Sequence, residues 1–136
     1  MSAREPVRSV WHLAERRHWE AALASGSYER STLGATLQEV GFVHASFPEQ
    51  LPGVVRAHYA RVAEPLVVLE IDPQLLDQAG VQVRLEPGDP DDPGSERFPH
   101  LYGPVPVPAV TRTRPAAVDR GWLELGPWEA TRQPRT

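Results

Sequence analysis

The sequence predicts an α+β domain, and three observations carry that reading. Residues 81–86 and 109–114 alternate apolar and polar side chains, the pattern of half-exposed strands. Leu66–Ile71 is continuously apolar apart from Glu70, as expected of a central strand covered on both faces. Residues 14–25 instead place Trp19, Ala22 and Leu23 at i, i+3, i+4 spacing, which marks a helix.

Taken in order, residues 1–6 read as a short arm and 7–13 as a strand built on Val10, Trp11 and Leu13. The helix over 14–25 stops at Ser25-Gly26. Residues 27–36 are polar, with Tyr28 the only large anchor. Residues 40–45 read as a strand running into Ser46-Phe47-Pro48-Glu49. That run fits a helix start, with Ser46 as the cap, Glu49 closing a capping box and Pro48 in the first turn. Leu51, Val55, Tyr59 and Val62 then share one face, although Pro52 and Gly53 weaken the opening turns.

Asp72-Pro73 ends the central strand, and a short helical turn through Leu75 and Leu76 follows. Over 81–86, Val81, Val83 and Leu85 face one way and Gln82, Arg84 and Glu86 the other. Residues 87–95 form a loop, since their prolines and glycines block regular structure. A short strand over 98–102 is closed by Gly103-Pro104, and 105–108 is extended but too proline-rich for a central strand. Residues 109–114 return to the sheet. The domain is thus placed at 7–114. A C-terminal extension over 115–136 is expected to dock through Trp122, Leu123, Leu125 and Trp128 and to end in disorder over 130–136.

The chain has 136 residues, room for one domain with a real core. It has 15 prolines and 10 glycines, so loops are extensive. No apolar run approaches the roughly 20 residues that span a bilayer, and the opening residues lack a signal peptide's apolar core. A cytoplasmic protein with no membrane partner is expected. The absence of cysteine removes disulfides, thiolate nucleophiles and cysteine-ligated metals. All 14 basic residues are arginine, yet the net charge is −4 and the pI near 5.7. That balance argues against a nucleic-acid partner.

Three histidines stand at element ends, where a rigid sheet positions reactive groups: His12, His44 and His100. Taken singly, each is explained by one hydrogen bond at a sheet edge. Together on one surface they would make a site. His18 and His58 fall within helices and read as structural or surface residues. Ser46 lacks the G-x-S-x-G elbow of a serine hydrolase. No phosphate-cradling glycine loop occurs, and no histidine spacing matches a metal motif. Arg112 and Arg114 share one face of the last strand, most simply the solvent face.

The segments Val10-Trp11-His12-Leu13, Gly41-Phe42-Val43-His44-Ala45-Ser46, Leu69-Glu70-Ile71-Asp72 and Phe98-Pro99-His100-Leu101-Tyr102-Gly103-Pro104 occur in this order. Together they resemble a bacterial family catalogued as domain of unknown function 952, over residues 9–114. Ala45 stands where a cysteine is common in that family. The resemblance implies a mixed, split β-sheet with two or three short helices, similar to the ADP-ribosyltransferase fold, whose cleft holds NAD in catalytic relatives. On that basis His12 would orient a ribose hydroxyl, Ser46 would help shape the nicotinamide pocket, and Tyr102 would stack or hydrogen-bond. His44 or His100 would serve as acid or base. Glu86 lies nearest to the glutamate of the transferring relatives, and Glu96 is a weaker match. The expected activity is binding of an NAD-like nucleotide, with ribosyl or phosphoryl-ribosyl transfer. The rival is a non-catalytic ligand-binding or protein-interaction module on the same fold.

Overall fold

Residues 8–131 are described by the structure, a computed structural model, and expectations for the terminal residues beyond them lie outside the described residues. β1 (Val10–Glu15) runs into α1 (Arg16–Ser25), which Gly26 closes at φ +91, with its N–H on the Ala22 carbonyl at 2.7 Å. β2 (Ser27–Tyr28) and α2 (Leu37–Val40) follow, then β3 (Val43–His44). α3 spans residues 48–59 as a 3-10 turn (Pro48–Gln50), an α turn (Leu51–Val54) and a π turn (Val55–Tyr59). The remainder is β4 (Leu66–Ile71), α4 (Pro73–Gln78), β5 (Gln82–Pro87), β6 (Arg97–Tyr102), β7 (Val105–Pro106), a 3-10 turn (Val107–Ala109), β8 (Val110–Asp119), β9 (Trp122–Leu125) and β10 (Glu129–Ala130).

The strands form a main sheet β1-β4-β8 with β9 and β10 on the outer edge of β8, a three-stranded sheet β3-β6-β5, and the pair β2-β7. The α+β class and the split arrangement therefore match the expectation. The sheets are not mixed, however: every pairing among the described strands is antiparallel. The cause is local. The Asp72 N–H bonds the Ala109 carbonyl at 3.0 Å, so the chain re-enters at the end of β4 and β8 must run back along it.

β4 is apolar apart from Glu70 because both of its faces are covered. Val67, Leu69 and Ile71 pack with Val10, Trp19, Tyr28, Val43 and Leu101. Leu66 and Val68 pack on the other side with Leu13 and with Leu51, Val55 and Tyr59 of α3. Glu70 shares the second face, where it accepts from the Trp11 indole at 3.0 Å and pairs with Arg112 at 2.8 Å.

Six local expectations are corrected. Residues 40–45 are not one strand: Thr36 and Glu39 form a capping box that starts α2, and β3 begins only after Gly41. Ser46 is not a helix cap, because its N–H and carbonyl bridge to Trp11 at 2.8 and 2.7 Å while Glu49 pairs with Arg8. The Gln50 side chain instead accepts from the Phe47 N–H at 2.9 Å. Leu85 is 54% exposed, since β5 is a sheet edge beyond the core. The boundary at 114 cuts a continuous strand. β8 runs on to Asp119, and β9 and β10 extend the same sheet. Trp128 docks against Trp11 at 5.5 Å between centroids, and Arg112 and Arg114 lie over its ring at 4.0 and 4.9 Å rather than forming a free solvent face. Trp122 stays out, 74% exposed. No helix among the described residues is long and apolar enough to cross a membrane.

Candidate functional site

The small sheet turns Val43 and Leu101 into the core and His44, Phe98, His100 and Tyr102 to the opposite face. Cross-strand register sets His44 beside His100, and His100 beside Arg84. The His44 and His100 ring centroids are 5.3 Å apart, and His44 and Phe98 are 5.2 Å apart. Phe42 stacks on His100 at 4.0 Å. Two of the three strand-end histidines are thus brought together, His44 partly exposed and His100 buried behind it.

A cavity of about 310 Å³ opens between this face, α3 and the β5–β6 loop. His44 and Phe98 form its floor, His58 and Val54 its helical wall, and Asp89 and Glu96 its loop side. His58, read from sequence as structural or surface, lines the cavity with its ring 6.5 Å from His44. Gly53 and Ala57 line it too, and that pair of small residues at i, i+4 was the available signal for a thin helix face. Gly88 lets the loop close over Phe98, because a Cβ there would sit 2.7 Å from the Phe98 ring. Gly88→Ala is therefore expected to displace that ring and cost about 1–3 kcal/mol, read by urea unfolding. An unchanged midpoint with unchanged ligand response would show that the loop gives way freely.

Behind His44 lies a second network. Glu86 accepts from His100 Nδ1 at 3.0 Å and from the Tyr102 hydroxyl. Those two donors, Tyr102 first, hold the Glu86 carboxyl below its usual range. Burial and the Glu86 contact push the Tyr102 phenol up, so it stays a donor. With Nδ1 bonded to Glu86, the other ring nitrogen of His100, Nε2, is buried with no hydrogen-bond partner among the described residues. Arg84 covers the Tyr102 ring at 4.7 Å. Glu86, His100 and Tyr102 thus meet, although Glu86 does not line the cavity.

His12 and Ser46 do not reach a ligand from where they stand, and their expected contact roles are corrected on geometry. His12 is 2% exposed. Its Nδ1–H donates to the His44 carbonyl at 2.6 Å, and its Nε2 accepts from the Tyr28 hydroxyl at 2.8 Å. Ser46 is equally buried, with its hydroxyl toward the Trp11 carbonyl. Both act on the site through the backbone of the His44-Ala45-Ser46 turn. Burial, with His100, His12 and His58 nearby, lowers the His44 imidazole to about 4, so it is neutral at physiological pH. Among the described residues, no group of three His, Cys, Asp or Glu is placed to hold a metal ion.

A family model described as "Protein of unknown function (DUF952)" matches residues 13–113. The X-ray structure of protein CC0527 from Caulobacter crescentus, a structural-genomics target, aligns with TM-score 0.69 at 29% identity, covering 86% of this chain and 94% of that one. A double methionine variant of the same Caulobacter protein aligns with TM-score 0.68 at the same identity and coverage. No curated protein matches the chain. None of these matches carries a link to the ADP-ribosyltransferase fold.

Proposed function

The chain belongs to this family of proteins of unknown function, DUF952, and we propose that its working site is the histidine cavity, which binds the nucleoside end of an NAD-like ligand in the cytoplasm. The observation that carries the reading is the joining of His44, His58 and Phe98 in one cavity, with the His100–Glu86 pair directly behind. The likeness to the ADP-ribosyltransferase fold rests on the sequence motifs.

The lining chemistry decides which end of such a ligand fits. The cavity presents two carboxylates, Asp89 and Glu96, and neutral His44, with no arginine among its lining residues. That environment opposes a diphosphate. It suits ribose hydroxyls and a cationic N-ribosylated ring, for which Phe98 offers a π face. A bound ligand of this kind supplies a glycosidic C–N bond whose cleavage leaves a cationic ribosyl centre. Toward it, Asp89 and Glu96 supply negative charge, and His44 supplies a neutral imidazole able to take a proton from an attacking hydroxyl. His100 and Glu86 hold the next imidazole in one tautomer behind it. Ribosyl transfer is the activity this set supports.

One observation favours the rival, a non-catalytic binding module. The Glu86 carboxylate is engaged by His100 and Tyr102 and stands outside the cavity, so it is not free to face a reacting sugar.

A histidine-resolved NMR titration with NAD, nicotinamide riboside and ADP-ribose tests the proposal. Saturable shifts at His44 and His58 are expected with the first two and weaker ones with the third. His44→Ala should abolish them while the domain still melts cooperatively. No response at millimolar NAD, or equal shifts from ADP-ribose alone, would sink the reading. Binding without turnover by any acceptor would select the module.

A further inference from the structure

We infer that the groove under the β8–β9 turn is a second binding site, for an aromatic phosphate monoester of the nucleoside monophosphate kind. It does not rest on the reading of the histidine cavity. A cavity of about 380 Å³ there is lined by Arg56 and Ala60 of α3 and by Arg120, Gly121 and Trp122 of the hairpin. That volume falls within the size of small-molecule sites. Trp122 is 74% exposed, the most exposed of the large apolar side chains. An indole left in water at a cavity mouth offers a stacking face.

The charge of the groove is specific. Its two charged lining residues are both arginine, on a chain whose net charge is −4. No ion pair holds either one among the described residues, so neither guanidinium is neutralised by a carboxylate there. Guanidinium groups match phosphate oxygens in geometry and keep their charge at any physiological pH.

The hairpin itself shows a local rule broken at this place. Asp119 pairs with Trp122, so Arg120 and Gly121 form a two-residue turn, with φ of +52 and +81. Such turns favour Asn-Gly, because a side chain with a Cβ is strained at positive φ. Arg120 is the one non-glycine residue at positive φ among the described residues. The turn thus holds an arginine where asparagine would be less strained, in the same lining as an exposed indole and Arg56.

The test follows the Trp122 indole N–H by NMR during titration with adenosine 5′-monophosphate. A saturable shift is expected, with adenosine at least about tenfold weaker because the charge-assisted contacts are lost. Inorganic phosphate should leave the indole signal in place. Arg120→Asn is the informative variant. It restores the favoured turn, so it should melt no lower than the parent, yet bind about tenfold more weakly. Arg56→Glu should weaken binding likewise, and His44→Ala should leave it intact. No indole response at millimolar nucleotide, or unchanged affinity in Arg120→Asn, overturns the proposal. So does an oligoadenylate whose affinity climbs steeply with length, which would make the groove a single-strand surface instead.

Discussion

Replacing His12 with alanine is expected to destabilise the domain by roughly 3 kcal/mol, by analogy with truncation of other large buried rings. The ring is 2% exposed, stands opposite Leu69 in the main sheet and packs edge-on to Tyr28 at 5.1 Å. Two losses add to the void. The His44 carbonyl loses its 2.6 Å donor, and the Tyr28 hydroxyl loses its acceptor inside the core. An orphaned buried polar group costs about 1–3 kcal/mol unless the structure relaxes around it. The pair can be separated by a double-mutant cycle. Tyr28→Phe alone leaves His12 Nε2 unsatisfied and should cost about 1–2 kcal/mol. The double variant should cost less than the sum, because the Tyr28 hydroxyl and His12 Nε2 are then both gone and only the His44 carbonyl is left without its partner. Urea unfolding of the four proteins reads this directly. A His12→Ala cost below that of Tyr28→Phe would show that the ring is not holding the β1–β3 contact. The same variant separates position from contact at the site. His12 touches the backbone of His44, not the cavity. Ligand affinity should therefore fall in His12→Ala, while the His58 signal still responds at higher concentration.

How much of this could be seen beforehand depends on the range of each interaction. β4 was legible because six residues in a row must satisfy two cores, and that demand is written locally. β6 is legible as a short apolar run, Phe98 to Tyr102, because Gly103-Pro104 closes it. His44 and His100 could be named as strand-end residues, but their neighbourhood is a matter of register between chains 56 residues apart, which periodicity does not record. Glu86 reached the site for a reason outside any pattern: it bridges across strands to His100 and Tyr102 rather than facing its own partner Phe98. The ligand-contact role of His12 comes from the family resemblance, and the sequence carries no sign of what covers a histidine on a first strand. Tyr28, sixteen residues on, takes up its second nitrogen. His58 was passed over because a helix histidine beside apolar positions has the same spacing whether it faces a core or a cleft. The antiparallel pairing of β4 with β8 is fixed at one backbone contact, Asp72 to Ala109, that no side chain announces.

Stability should fall steeply as the pH drops from about 6.5 to about 4, and His12 and His44 chiefly set that window, with His18, also lowered by burial, adding to it. Burial lowers His12 to about 4, against the opposing pull of its bond to the His44 carbonyl. Burial and the neighbouring His100, His12 and His58 lower His44 to about 4 as well. The unfolded chain titrates each near 6.5, so between those values it binds more protons than the native state does. The sign follows: the native state is favoured above 6.5, and the advantage drains away as pH falls toward 4. The slope is about 1.4 kcal/mol per pH unit for each group, so His12 alone contributes on the order of 3 kcal/mol across the window. His44 contributes less, since it is only partly buried. Glu15 and Glu86 are held below their usual range, Glu15 despite its burial and chiefly by Arg17, and Glu86 by Tyr102 and His100. They add a further loss only below the ordinary carboxylate range. Urea unfolding at pH 7, 6 and 5 separates these contributions. A flat profile over that interval would mean that both rings titrate normally and that water reaches them. His44→Asn should remove the smaller part of the slope and leave the larger part, which belongs to His12. The cavity should respond in the same window. A protonated His44 would repel a cationic ring, so affinity for nicotinamide riboside should fall as pH approaches 4 in the parent and not in His44→Asn. Loss of affinity in both would assign the effect to unfolding instead, which the melting curves at each pH would reveal.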